Sequence, residues 1–222
     1  MFNHFQKQDD QIQKDVLSEL NWDPSVDSGD IDAFVSNGIV TLTGRVPHFY
    51  VKSNAEDAAR RVGGVRSVDD EIEVVPTETY TRTDAQIADT AQLTLDGNSA
   101  VPPGVKASVD GGWITLTGEV EWEYQRAAAE NAIASLMGVR GIENDLSVKP
   151  KEVASSDVKT QIQDALKRSA ATEGRKIEVS IVGDKVTLSG SLDSYAEIET
   201  ARIAAWGAPG VSSVVNQLTL SQ

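Results

Sequence analysis

Cysteine is absent from all 222 residues, which excludes disulfides and thiolate-bound metals from both fold and chemistry. Histidine is nearly absent too: only His4 and His48 supply an imidazole. No apolar run approaches the roughly 20 residues that a membrane-spanning helix needs. Basic side chains are outnumbered, 20 Lys and Arg against 34 Asp and Glu, for a formal charge of −14. That balance repels polyanions, so nucleic acid is excluded as a general partner. Residues 1–10 lack the basic stretch and apolar core of a secretory signal. The expected location is therefore the cytoplasm, or the periplasm if a leader has been trimmed from the chain. Against these absences stand 40% hydrophobic and 24% charged residues with no low-complexity tract, the balance of a chain that folds throughout.

What is present repeats. Gly38-Ile39-Val40-Thr41-Leu42-Thr43-Gly44 returns as Gly112-Trp113-Ile114-Thr115-Leu116-Thr117-Gly118 and again as Asp184-Lys185-Val186-Thr187-Leu188-Ser189-Gly190. A second landmark, Gly64-Val65, Gly138-Val139 and Gly210-Val211, keeps the same offsets. Two landmarks in register across three copies define a tandem array, with modules at residues 1–80, 81–152 and 153–222.

Each copy opens with apolar residues four apart: Ile12, Val16 and Leu20; Ile87, Ala91 and Leu95; Val158, Ile162 and Leu166. That spacing predicts a helix, with Asp9 and Asp10, Asp84, or Ser156 and Asp157 at its start as candidate caps. Period-two alternation then predicts strands over 31–35, 105–109 and 177–181. Asn37-Gly38, Gly111-Gly112 and Gly183-Asp184 follow, dipeptides suited to tight hairpin turns. A second strand, an alanine-containing helix (Ala55, Ala129, Ala201) and a last strand ending in Val74, Val148 or Leu220 complete each copy. Gly64, Gly138 and Gly210 fall where that second helix should end. The fold class is α+β: three tandem αββαβ modules, each two helices on one face of a three-stranded mixed sheet. A module of this size buries only about 60% of its unfolded surface, so the modules are expected to dock on one another.

The repeated segments, with endings such as Gly138-Val139-Arg140-Gly141-Ile142 and Gly210-Val211-Ser212-Ser213-Val214, resemble the BON domain (bacterial OsmY and nodulation domain). The resemblance covers nearly the whole chain. It implies a non-catalytic module associated with osmotic stress, envelope integrity and phospholipid surfaces. The shared residues are glycines and core positions, so the family supplies no catalytic residue.

Two groups of residues break the repeat and mark candidate surfaces. Phe34, Ile39 and Trp113 fall on the sheet face that the helices leave uncovered, and are expected to meet a neighbouring module or a partner. Lys159, Lys167, Arg168, Arg175 and Lys176 cluster in the one module that is close to neutral: formal charges run −8, −5 and −1 along the three copies. They are either a solvated face or a contact for an anionic surface, lipid headgroup or protein. His48 has no counterpart in the other copies and reads as a surface or packing residue. Asp27, Asp30 and Asp32 lack the spacing of a calcium loop. Phosphate loops, nucleophile elbows and zinc motifs are missing. The expectation is a binding or scaffold protein without catalytic residue, cofactor or metal, whose partner is a protein. The alternative is a peripheral protein that touches anionic phospholipid through the third module.

Overall fold

The apolar triads that predict the helices are buried as a set. Ile12, Val16 and Leu20 line the inner side of α1 (Asp9–Trp22), and their counterparts do the same on α3 (Asp84–Asp96) and α5 (Val158–Arg168). The computed structural model describes residues 8–77, 79, 81–150, 158–169, 172 and 176–221. His4, Ser156, Asp157 and Arg175 lie outside the described residues.

After α1, the first module runs through β1 (Ile31–Ser36), β2 (Ile39–Val46), α2 (Phe49–Arg61) and β3 (Ser67–Val74). The second repeats this after α3 as β4 (Lys106–Asp110), β5 (Trp113–Val120), α4 (Glu123–Ile133) and β6 (Gly141–Val148). The third, after α5, has β7 (Ile177–Val182), β8 (Lys185–Leu192), α6 (Tyr195–Trp206) and β9 (Ser213–Leu220). In every module the middle strand in sequence is the middle strand in space. It pairs antiparallel with the first strand across the hairpin and parallel with the third, which needs a helical crossover to return in that direction. Each final strand thus stays in its own module, and the three sheets share one topology.

Two sequence landmarks acquire physical reasons. Gly44 has φ +137, and a Cβ there would sit 2.0 Å from the Asp30 carbonyl oxygen. The second strand passes so close to the start of the first that only glycine fits; Gly118 and Gly190 repeat the geometry. The aspartate opening the first helix does not cap it, contrary to the expectation. The Asp9 carboxylate accepts from the backbone N–H groups of Asn37 (2.7 Å) and Gly38 (2.9 Å), clamping the β1–β2 turn. Asp84 does likewise to Gly111 and Gly112, both at 2.9 Å. The capping role in α3 falls to Thr83, whose hydroxyl accepts from the Gln86 N–H while the Gln86 side chain accepts from the Thr83 N–H.

Each module has its own core between sheet and helices. The modules then meet through their second helices. Phe49, first residue of α2, packs against the cores of both the first and the second module. Trp206, last residue of α6, packs against those of the second and third. Glu123, first residue of α4, faces Arg202 of α6 at 3.8 Å, and Tyr195, first residue of α6, lies beneath the Arg60 guanidinium of α2 at 5.6 Å. Phe49, Glu123 and Tyr195 occupy equivalent repeat positions. The start of each second helix therefore touches the next module in a closed cycle, first to second, second to third and third to first.

Candidate binding surfaces

Because the modules meet through their helical sides, the uncovered sheet faces turn away from the junction. Alternation along the strands decides what each presents. In the first module the face carries Asp32 and Phe34 from β1, Ile39, Thr41, Thr43 and Arg45 from β2, and Asp69, Glu71 and Glu73 from β3. Acids dominate, and the one base is spent in an ion pair between Arg45 and Glu73 at 3.0 Å. The second module is similar, with Glu119, Glu143 and Asp145 beside Trp113. The third differs: Ser180, Thr187, Ser189, Ser191, Gln217 and Thr219 make a hydroxyl- and amide-rich face on which the charges of Glu178 and Lys185 offset each other, with Val182 78% exposed at its rim.

Phe34, Ile39 and Trp113 sit on these faces at 59, 41 and 57% exposure. No neighbouring module buries them, so of the two expected contacts, module or partner, the partner is the one this exposure leaves open; the helices perform the docking between modules. Trp113 lies flat on the backbone of Gly141, where a Cβ would come within 2.3 Å of the ring. The other copies carry Ser67 and Ser213 at that position and Ile39 and Lys185 in place of the tryptophan. The pairing of Trp113 with Gly141 was the legible signal of this seat.

Among the described residues, the basic side chains of the third module have different surroundings. Lys159 faces β7 across a cavity of about 740 Å³ that Gln163, Ile177, Val179 and Ile181 also line. Lys167 stands 3.5 Å from Asp164, an exposed pair that offsets its charge locally. Arg168 turns toward the end of α6, lining a second cavity of about 370 Å³ with Ala204, Gly207 and Pro209. Lys176 is exposed just ahead of β7.

Ionisable groups with shifted behaviour concentrate at or near the junction. Burial pushes the carboxyl of Glu123 up, against the pull of Arg126 and Arg202. Burial likewise raises Glu56, and Asp70 behind it. Hydrogen bonds from Arg202, at 2.9 and 2.7 Å, hold Glu199 below the usual carboxylate range. These groups face arginines and lysines of the fold itself, the arrangement of structural ion pairs and not of a poised acid and base. Among the described residues no group of three or more His, Asp or Glu is placed to hold a metal, so Asp27, Asp30 and Asp32 do not converge on an ion. Among the same residues no helix is long and apolar enough to cross a membrane.

Comparison with known proteins agrees with the repeat. The BON domain family model matches three times, at residues 8–76, 83–150 and 154–222. A search of curated proteins finds no match. Among solved structures, the C-terminal domain of CdsD, a structural protein of the type III secretion system of Chlamydia trachomatis, is 18% identical with a TM-score of 0.28. The match covers 97% of this chain and all of that one. The PrgH periplasmic domain is 10% identical with a TM-score of 0.23, covering 93% of this chain and all of that one.

Proposed function

The chain belongs to the BON domain family, and from that premise we propose that it is a non-catalytic scaffold, one body of three modules that binds protein partners on its outward sheet faces. The observation that carries this reading is the exposure of Phe34 and Trp113 on faces that the chain's own docking leaves free. Large aromatic side chains on an open sheet are the common anchors of protein interfaces. The acidic surroundings of both residues favour a basic partner. A role in osmotic or envelope stress, and residence in the cytoplasm, belong to the same proposal. The test is capture of partners from osmotically stressed cells by the wild type and by a Phe34→Ser, Trp113→Ser double variant. Loss of the captured proteins with unchanged thermal stability supports the proposal; identical capture by both contradicts it.

A second reading is contact with anionic phospholipid through the third module, favoured by exposed Lys159 and Lys176 in the copy closest to neutral. A basic residue beside an anionic membrane contributes about 1 kcal/mol, so such attachment is weak and reversible. Flotation with phosphatidylglycerol vesicles at low salt tests it: the wild type floats and Lys159→Glu, Lys176→Glu does not. A wild type that stays with the soluble fraction removes this reading.

A further inference from the structure

The first strand of each module is an edge strand, and alternate residues along it point their N–H and C=O groups away from the sheet. Two of the three edges are latched by the helix beside them. In the first module the Gln13 side chain donates to the Ala33 carbonyl at 2.8 Å. In the second, Gln92 donates to the Val105 carbonyl at 3.1 Å and accepts from the Ala107 N–H at 3.3 Å. Among the described residues the third edge carries no such latch. Lys159 takes the repeat position of Gln13 and Gln163 that of Gln92, yet among the described residues neither bonds to β7. Between them and Ile177, Val179 and Ile181 lies the cavity of about 740 Å³.

We propose that this groove between α5 and β7 accepts an extended peptide segment of a partner protein, added as a fourth strand on β7 with an acidic side chain against Lys159. The strand supplies the recognition: Val179 aligns with Ala33 and Ala107, and Ile177 with Val105, so their outward backbone groups are the ones that the glutamines satisfy elsewhere, and Ile181 continues the same edge. An incoming strand satisfies them in the same way, which is the basis of strand addition. Charge selects the occupant. Lys159 is the one cation lining the groove among the described residues, while Glu178 projects on the opposite side of the strand. Ser180 and Ser189 share the open side with Glu178, so an acidic residue is favoured on the helix side of the guest strand, against Lys159, and disfavoured on the other. At about 3.3 Å per residue, the six residues of β7 offer about 20 Å of edge, room for five or six residues of a guest strand.

The full chain is titrated with an array of acetylated heptapeptides that alternate valine with threonine, serine or glutamine around a central glutamate. A matched array carries lysine at the centre. Binding is read by amide hydrogen exchange. The expected result is at least tenfold slower exchange at Ile177, Val179 and Ile181 with members of the glutamate array, and none at Ala33 or Ala107. The lysine array binds at least fivefold more weakly, and Lys159→Glu reverses that order. Lys159→Gln, which rebuilds the latch of the first module, weakens the glutamate peptides at least fivefold without lowering the unfolding temperature. No protection by either array, or equal affinity for the two, overturns the proposal. Protection that rises with protein concentration in the absence of peptide overturns it in favour of pairing between two copies of the chain. These outcomes are independent of the aromatic faces, so a failure here leaves the scaffold reading to its own test.

Discussion

In the first module α1 is tied to its hairpin twice, by Asp9 to the turn and by Gln13 to the edge strand. In the third, Lys159 replaces that glutamine and the helix stands across a cavity from β7. The open faces differ in the same direction: acidic with an exposed phenylalanine in the first, neutral and hydroxyl-rich in the third. Glycines and core residues, by contrast, repeat almost without change. Positions that determine the fold are held constant across the array, while edges and open faces diverge. That division is expected if one scaffold is reused to present different surfaces.

The largest effect expected from breaking the comparison lies at the shared glycine. A Cβ at Gly44 meets the Asp30 carbonyl oxygen at 2.0 Å, whereas one at Gly118 meets the Gly104 oxygen at 2.9 Å. Gly44→Ala should cost about 3 kcal/mol or more, combining backbone strain with overpacking, and Gly118→Ala distinctly less. Urea unfolding midpoints check the ranking, and equal losses would mean that the two strand crossings are equally tight.

Next is the turn clamp. Asp9→Ala removes two hydrogen bonds to a carboxylate and should cost about 1–2 kcal/mol, as should Asp84→Ala. Thr83→Ala removes a true cap and should cost about 1 kcal/mol. Amide exchange separates the two roles: the aspartate variants should expose the N–H groups of the hairpin turn, and the threonine variant those of the first turn of α3.

A smaller effect concerns pH. Burial raises Glu123, Glu56 and Asp70 in the folded chain. A carboxyl whose folded pKa is raised binds its proton more tightly when folded. Stability is then lost as pH climbs from the unfolded value, about 4.3 for glutamate, through the folded one. Asp23 runs oppositely: hydrogen bonds from Ser25, with Arg61 adding to them, lower it to about 2. Its contribution is present above the ordinary range and lost as pH falls toward that value. As pH climbs above the ordinary glutamate value the raised carboxyls set the sign, so Glu123→Gln should flatten the decline by under about 1 kcal/mol. Melting temperature against pH for both proteins is the measurement; an unchanged slope would place the titration elsewhere.

Topology was legible in the sequence because it rests on period, turn dipeptides and glycine spacing, all local properties. The hairpin Asn37-Gly38 and the Ile12, Val16, Leu20 stripe needed no partner to be read. The function of Asp9 was misread because a carboxylate ahead of a helix has two donors within reach, its own first turn and a turn 28 residues on, and only the fold brings the second near. The site suffered more. Phe34, Ile39 and Trp113 were correctly placed on the uncovered face, but whether a neighbour covers that face depends on how whole modules pack. That packing is set by Phe49, Glu123, Tyr195 and Trp206, residues unlike one another at equivalent or paired positions, so the repeat gave no signal of it. The open β7 edge was hidden for the same reason: it is an absent hydrogen bond, visible only beside two modules that make it.

The second helices, and not the sheet faces, join the modules into one body. Scanning calorimetry of the wild type, Trp206→Ala and Trp113→Ala tests it most directly. Trp206 packs against two cores and Trp113 is mostly exposed. The wild type should unfold in a single transition. Trp206→Ala should lose about 2–3 kcal/mol, below the full cost of a wholly buried tryptophan, with the second and third modules affected together. Trp113→Ala should change stability by about 0.5 kcal/mol or less. Separate transitions for the three modules, or a Trp206→Ala no more harmful than Trp113→Ala, would contradict it.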